Sequence, residues 1–291
     1  MEKLIKLSED EKLEFGNFIK NTRSKIIPKP QKTLSIVLET YDINSINLNT
    51  ISETINTLRE LTYNEFLAYE NDFNAIILQN ISSKFDIANN ILSKVSKDFF
   101  EHLPTNYDEF KSYFIKYFGC YAGEISPYIY ELCLSNTQSR RSRAGKIFEA
   151  IIYFLYTHFN YSFNSQAKVG RRVFNNLGLG KVVDSILPNI ESFKNFRNKT
   201  IVGSMKTTLR ERWQEVVEEI GRSNLPNIYL LTCDTDISES KIRQMSEHNI
   251  VLVVFDSVKA NLRDFRNVIS FETYFTNEIP DILKYWDRAN D

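Results

Sequence analysis

Residues 182–187 read Val-Val-Asp-Ser-Ile-Leu, and residues 200–206 read Thr-Ile-Val-Gly-Ser-Met-Lys. Both runs are short, apolar and rich in β-branched residues, which gives them strand character. Each also carries one charge where a charge is expensive. An unpaired carboxylate at Asp184, inside the first run, costs roughly several kcal/mol of desolvation. The Lys206 ammonium, closing the second, meets the same penalty. On neighbouring strands the two groups can meet at one phosphate, with Asp184 holding a metal. They can equally satisfy each other as a buried ion pair, and the residues alone leave both readings open.

Working outward, residues 228–232 and 250–255 repeat the strand pattern. Between the strands, residues 209–220 form a well-defined amphipathic helix. Its apolar stripe is Leu209, Trp213, Val216, Val217 and Ile220, and Gly221 ends it. A strongly apolar helix, 147–159, comes before the first strand. Strands separated by helices predict an α/β fold with a central, largely parallel or mixed sheet flanked by helices.

The N-terminal part reads as helical. Residues 8–27 open on a capping-box pattern, Ser8-x-x-Glu11. Leu48, Ile51, Ile55, Leu58 and Leu61 keep to one helical face. Further helices are expected over 76–100 and 107–118, with Pro104 and Gly119 as punctuation, and from Ser126-Pro127 to about residue 134. The expected division is a mainly helical part, 1–130, and a core, 131–291, forming one compact unit. There is no internal repeat, low-complexity segment or Gly-rich phosphate loop.

Composition narrows the function. With 291 residues, 42% hydrophobic, the chain can bury a sizeable core without staples. No apolar run is long enough to span a bilayer, and the N-terminus lacks a signal-peptide core, so a cytoplasmic protein without a membrane partner is expected. Cys120, Cys133 and Cys233 have no CxxC spacing, and His102, His158 and His248 are scattered, which excludes a recognisable zinc site or disulfide framework. Net charge is −1, but residues 138–213 hold 14 Lys and Arg against 4 Asp and Glu. That +10 segment within an acidic chain suits a polyanionic partner, although a solvated basic face gives the same count.

Two further carboxylates belong with Asp184. Glu149 is embedded among Ile147, Phe148, Ala150, Ile151 and Ile152, where a glutamate is either paired or functional. Glu219 follows Lys206 by thirteen residues. Three carboxylates and a lysine suit metal-assisted phosphodiester hydrolysis: hard oxygen ligands hold Mg²⁺, and the lysine neutralises charge developing on phosphorus.

Ser142-Arg143-Ala144-Gly145-Lys146 with Glu149, then Asp184, then residues 204–213 (Ser-Met-Lys-Thr-Thr-Leu-Arg-Glu-Arg-Trp) and Glu219 together resemble the type II restriction endonucleases of the PD-(D/E)XK fold. Within them, the likeness is to the branch that reads CCGG, CCNGG or CCWGG cores, with SsoII, PspGI, EcoRII and NgoMIV-like enzymes. The resemblance covers about 80 residues well. It implies a restriction-endonuclease-like mixed sheet, with Asp184 as central metal ligand, Lys206 as catalytic lysine, Glu219 as the acid from the following helix, and Glu149 and the Met205 carbonyl as further ligands. Ser204 stands where the broader superfamily has an acid, as in the CCGG-type enzymes. Val183 departs from the family's Pro.

The resemblance makes Arg210, Glu211 and Arg212 the base-recognition element, with Gln138 approaching from the minor groove. The chemistry agrees, since a guanidinium bonds guanine O6 and N7 bidentately and a carboxylate accepts from cytosine N4. On local pattern alone, Thr208-x-x-Glu211 is also a capping box with exposed arginines. Arg140, Arg141, Arg143 and Lys146 become candidate phosphate contacts. A palindromic site implies a homodimer on double-stranded DNA, with the N-terminal part serving dimerisation or DNA contacts, and a cognate DNA methyltransferase protecting the host site. Two rivals remain: a structure-specific repair nuclease of the same fold, and a non-catalytic sequence-specific DNA-binding protein.

Overall fold

The structure is a computed structural model that describes residues 4, 6–180, 182–210, 212–223 and 225–290. In chain order its helices and strands are α1 (Glu9–Ile26), α2 (Pro30–Thr40), α3 (Ile51–Lys84), α4 (Asp86–Glu101), α5 (Tyr107–Glu124), α6 (Ser126–His158), β1 (Asn164–Ser165), α7 (Gln166–Val169), α8 (Arg171–Asn176), β2 (Ser185–Leu187), α9 (Ile190–Asn195), β3 (Ile201–Lys206), α10 (Arg212–Ser223), β4 (Ile228–Thr232), α11 (Glu239–Glu247), β5 (Ile250–Val254), α12 (Asp256–Asn261), β6 (Val268–Ser270), α13 (Phe271–Thr273) and α14 (Ile279–Asn290). Two compact units divide the chain, residues 1–29 with 63–142, and residues 30–62 with 143–291.

The first unit is helical. The Ser8 hydroxyl accepts the Glu11 N–H while the Glu11 carboxylate accepts the Ser8 N–H, so the expected capping box starts α1. Phe15 and Ile19 on α1 pack with Phe73, Ile77 and Phe85 and with Tyr128 of α6 in one core. The rings of Phe15 and Tyr128 meet edge to face at 5.1 Å. Beside this core, Glu70, only 2% exposed, is gripped by the Arg140 guanidinium through Nε (2.8 Å) and Nη2. Arg23 donates to Ser135 and Asn136.

The second unit holds one six-stranded sheet in the order β1-β2-β3-β4-β5-β6. β1, β2 and β3 pair antiparallel, and β3 to β6 run parallel, which makes the sheet mixed. β4 is buried at every position and β5 at all but one, as expected of parallel strands covered on both faces. Phe148, Ile151, Ile152 and Leu155 of α6 and Val216 of α10 share the core with these strands. So do Leu34, Val37, Ile51, Ile55 and Leu58 of segment 30–62.

Several boundaries differ from the expected ones. The helix expected over 76–100 is broken at Phe85, whose backbone is extended and whose ring is buried, so that α3 ends and α4 begins there. Gly119 lies inside α5 and Gly221 inside α10, because a glycine that needs no positive φ merely lowers helix propensity. The two helices expected around 126–134 and 147–159 are one 33-residue helix, since its polar middle, 137–146, has no breaker strong enough to stop it. α10 starts at Arg212, three residues later than its apolar stripe suggested. No helix among the described residues is long and apolar enough to cross a membrane.

Candidate active site

The antiparallel register of β2 and β3 places Ser185 opposite Gly203. Asp184 therefore lies at the mouth of β2, immediately before it and not within it. Its N–H donates to the Gly203 carbonyl at 2.8 Å, and its own carbonyl accepts from the Gln166 N–H at 2.9 Å and the Tyr153 hydroxyl at 3.0 Å. With its backbone held on both sides, the side chain has little freedom. Oδ2 accepts the Met205 N–H at 2.6 Å and lies 3.7 Å from the Lys206 ammonium. Both side chains are close to nine-tenths buried, so this pair exists in a medium that screens it poorly.

Glu149 reaches the same locality from α6. Its carboxylate pairs with Lys146 one helical turn earlier, at 3.1 Å. Burial pushes the Asp184 carboxyl up to about 6, and Glu149 adds to the rise; Lys206, the Met205 N–H and Lys146 oppose it. The phenol of Tyr153 is raised well above its ordinary value by burial and then by Asp184 and Glu149. Two carboxylates and two ammoniums thus balance in number, but burial leaves the Asp184 carboxylate poorly solvated, and a cation placed against it would offset that cost.

The other expected site residues are distributed differently. Glu219 is buried, and its carboxylate accepts from the Gly180 N–H, from Ser223 Oγ at 2.8 Å and from Arg222 at 2.5 Å. A Cβ on Gly180 would collide with both Glu219 and Arg222, so only glycine permits this approach. The bonding of Glu219 is therefore to the loop leading into Asp184. Among the described residues, no group of three or more His, Cys, Asp or Glu side chains is arranged to hold a metal ion. Asp184 and Glu149, two hard oxygen donors beside the Met205 backbone, fit a divalent cation, while Glu219 in this position does not complete the set.

Arg210 is exposed and adopts a positive φ of 34°, in the turn between β3 and α10. Glu211 and the side chain of Arg212 lie outside the described residues. On α6, Gln138 and Arg141 are exposed. Arg140 is committed to Glu70, and Arg143 bonds Thr33 Oγ1 at 3.0 Å, so both have structural partners that the basic run did not reveal. Lys146 is occupied by Glu149. Sequence reasoning missed Tyr153 and Gln166. Tyr153 was accessible, because it stands one helical turn after Glu149 on the same face; nothing in the local sequence marks Gln166.

The family model described as EcoRII C terminal matches residues 116–275, which contains every group of this cluster. The chain is 31% identical over 244 residues to the type II restriction enzyme SsoII of Shigella sonnei, covering 84% of this chain and 72% of that enzyme. The chain belongs to the EcoRII C-terminal family of type II restriction endonucleases. This restriction endonuclease is a sequence-specific deoxyribonuclease. It also resembles the solved structure of metal-depleted Ecl18kI in complex with uncleaved DNA, with a TM-score of 0.76 and 27% identity over 96% of this chain and 86% of that one. The PspGI–substrate DNA complex shares the fold, with a TM-score of 0.59 and 17% identity over 92% of this chain and 96% of that one.

Proposed function

We propose that this restriction endonuclease is a homodimer that hydrolyses both strands of a palindromic duplex whose site contains CC and GG, with Mg²⁺ as its metal. The single observation that supports this most strongly is the 3.7 Å approach of Lys206 to Asp184, four residues ahead of Arg210. Asp184 and Glu149, with the Met205 carbonyl, would hold the cation. When bound, that ion lowers the pKa of an attacking water and polarises the phosphate.

Every other part of the chemistry belongs to side chains. The Lys206 ammonium leaves Asp184 for a phosphate oxygen and balances the charge that builds there as water adds at phosphorus. The P–O3′ bond breaks, leaving a 5′-phosphate and a 3′-hydroxyl. The Tyr153 hydroxyl holds the Asp184 carbonyl and keeps that residue's backbone in place. Glu219 joins as a third acid by turning from its three donors, and otherwise keeps the loop at Gly180 against α10. Arg210, Glu211 and Arg212 read the guanines and cytosines, Gln138 approaches the minor groove, and Arg141 contacts phosphate. Arg140, Arg143 and Lys146 reach phosphate only by giving up partners they already hold. The enzyme acts in the cytoplasm on foreign duplex DNA, and a cognate methyltransferase guards the host's sites.

The test is digestion of a sequenced plasmid by purified protein, with Mg²⁺ and with chelator, followed by mapping of the ends. Discrete Mg²⁺-dependent fragments ending at CC…GG sites, lost in Lys206→Ala while binding persists, are the expected result. Wild-type protein that binds the plasmid tightly but leaves it intact would refute the assignment of catalysis to this cluster. Glu219→Gln separates its two roles: it keeps an acceptor for Gly180, so normal activity would leave it only a structural one.

A further inference from the structure

The segment joining the catalytic lysine to α10 is held by a residue outside the site just described. Lys206 at the end of β3 lies in register with Thr232 at the end of β4. Two residues beyond Thr232, Asp234 folds back on its own strand end: its N–H donates to Thr232 Oγ1 at 3.1 Å, and its Oδ1 accepts the Asp236 N–H at 3.3 Å. These bonds aim the other carboxylate oxygen across to the neighbouring connection, where Oδ2 accepts the Leu209 N–H at 2.8 Å. The Leu209 side chain is 1% exposed, so residue 209 is pinned by its backbone on one side and by the core on the other. Arg210 follows with φ of 34°, a left-handed conformation that costs a non-glycine residue free energy and persists only when its surroundings impose it.

We infer that Asp234 is a positioning residue for specificity: by fixing the backbone at Leu209 it sets the direction in which Arg210 leaves the turn towards a base pair. The inference rests on Arg210 being a base reader. A bidentate contact depends on angle as well as distance. A guanidinium released from its fixed origin still binds DNA through charge, but it discriminates less between the right base and the wrong one. Asp234 therefore acts through Arg210 and touches neither base nor scissile phosphate.

The experiment compares kcat/KM on the cognate duplex with kcat/KM on duplexes carrying one changed base pair in the CC…GG core. It uses the full-length wild type, Asp234→Ala, Asp234→Asn and Arg210→Ala, each first checked for a cooperative melt. In Asp234→Ala the cognate-to-altered ratio is expected to fall about tenfold at the pair Arg210 reads, within the range one bidentate contact supplies. Asp234→Asn, which retains an oxygen for the Leu209 N–H, is expected to stay within about threefold of wild type, since the net value of one hydrogen bond is kept. Should Asp234→Ala fail to melt cooperatively, Asp234→Ser, too short to reach Leu209 in the same way, is measured against the same expectation. A ratio unchanged in Asp234→Ala but lost in Arg210→Ala overturns the role of Asp234 and leaves the reader in place. A ratio unchanged in Arg210→Ala overturns both. Equal losses in Asp234→Ala and Asp234→Asn also overturn the inference, because the acceptor would then not be what matters.

Discussion

Asp184→Asn removes the charge whose environment is most perturbed while keeping an oxygen for the Met205 N–H. In the folded chain burial raises the Asp184 carboxyl from 3.8 to about 6, with Glu149 adding to the rise. The folded protein therefore binds this proton more tightly than the unfolded chain does. Its contribution favours folding fully below about pH 4, and is lost as pH rises through about 6. A difference of about two pH units, at about 1.4 kcal/mol each, amounts to about 3 kcal/mol. The assay is urea unfolding of wild type and Asp184→Asn between pH 4 and 7.5, with chelator present. Because the unfolded carboxyl is already partly ionised at pH 4, the stability of the wild type relative to the variant is expected to decline by about 2.5 kcal/mol across this window and to level off above pH 7. Subtracting the variant cancels, to first order, all groups other than Asp184. A difference that stays flat, or that moves in favour of the wild type as pH rises, would refute the argument that desolvation outweighs Lys206 at this carboxylate. The same free energy is available to a divalent cation, whose uptake requires the ionised form and strengthens through the same pH range.

Arg140→Ala strands the buried Glu70 carboxylate. Because Arg140 itself is half exposed, the expected loss is about 2–3 kcal/mol, below the roughly 3–5 kcal/mol of a fully buried pair, and is read as a lowered Tm. Arg141→Ala, in contrast, is expected to leave Tm unchanged while reducing the slope of log binding constant against log salt by about one contact. An equal Tm loss in both variants would contradict this division. Gly203→Ala puts a Cβ 2.6 Å from Ser185 Oγ, next to Asp184. Ser185 is fully buried and cannot swing clear, so a loss of about 1–3 kcal/mol in calorimetry and a slower cleavage rate are expected.

Four strand expectations, over 182–187, 200–205, 228–232 and 250–255, correspond to β2, β3, β4 and β5. They were legible because buried strands leave dense β-branched runs that need no partner to be recognised. β1 and β6 were not, being two and three residues long and owing their conformation to neighbours supplied by the sheet. Asp184 and Lys206 were readable as a pair because each charge falls in or closes an apolar run of the sequence, and the register of β2 with β3 brings them within 3.7 Å. Glu149 was readable for the same reason on α6. Glu219 was readable as an acid on the following helix, but its bonding to Gly180 was not, since Gly180 lies 39 residues away and the contact depends on how α10 meets that loop.

By itself the sequence determined the α/β class and the segments that become the central strands, singled out the charged residues proposed for the site, and carried the resemblance to the family. The first three are written in local periodicity, or in the penalty for burying a charge, and the family in the order and spacing of its motifs. The tertiary structure alone decided which partners those charges take. It sends Arg140 to Glu70 and Arg143 to Thr33, both far away in the chain. It sets Tyr153 against the Asp184 carbonyl, and gives the turn before α10 its anchor at Asp234. A side chain's burial cost can be read from its neighbours in sequence, but the group that offsets that cost is fixed only when distant segments pack together.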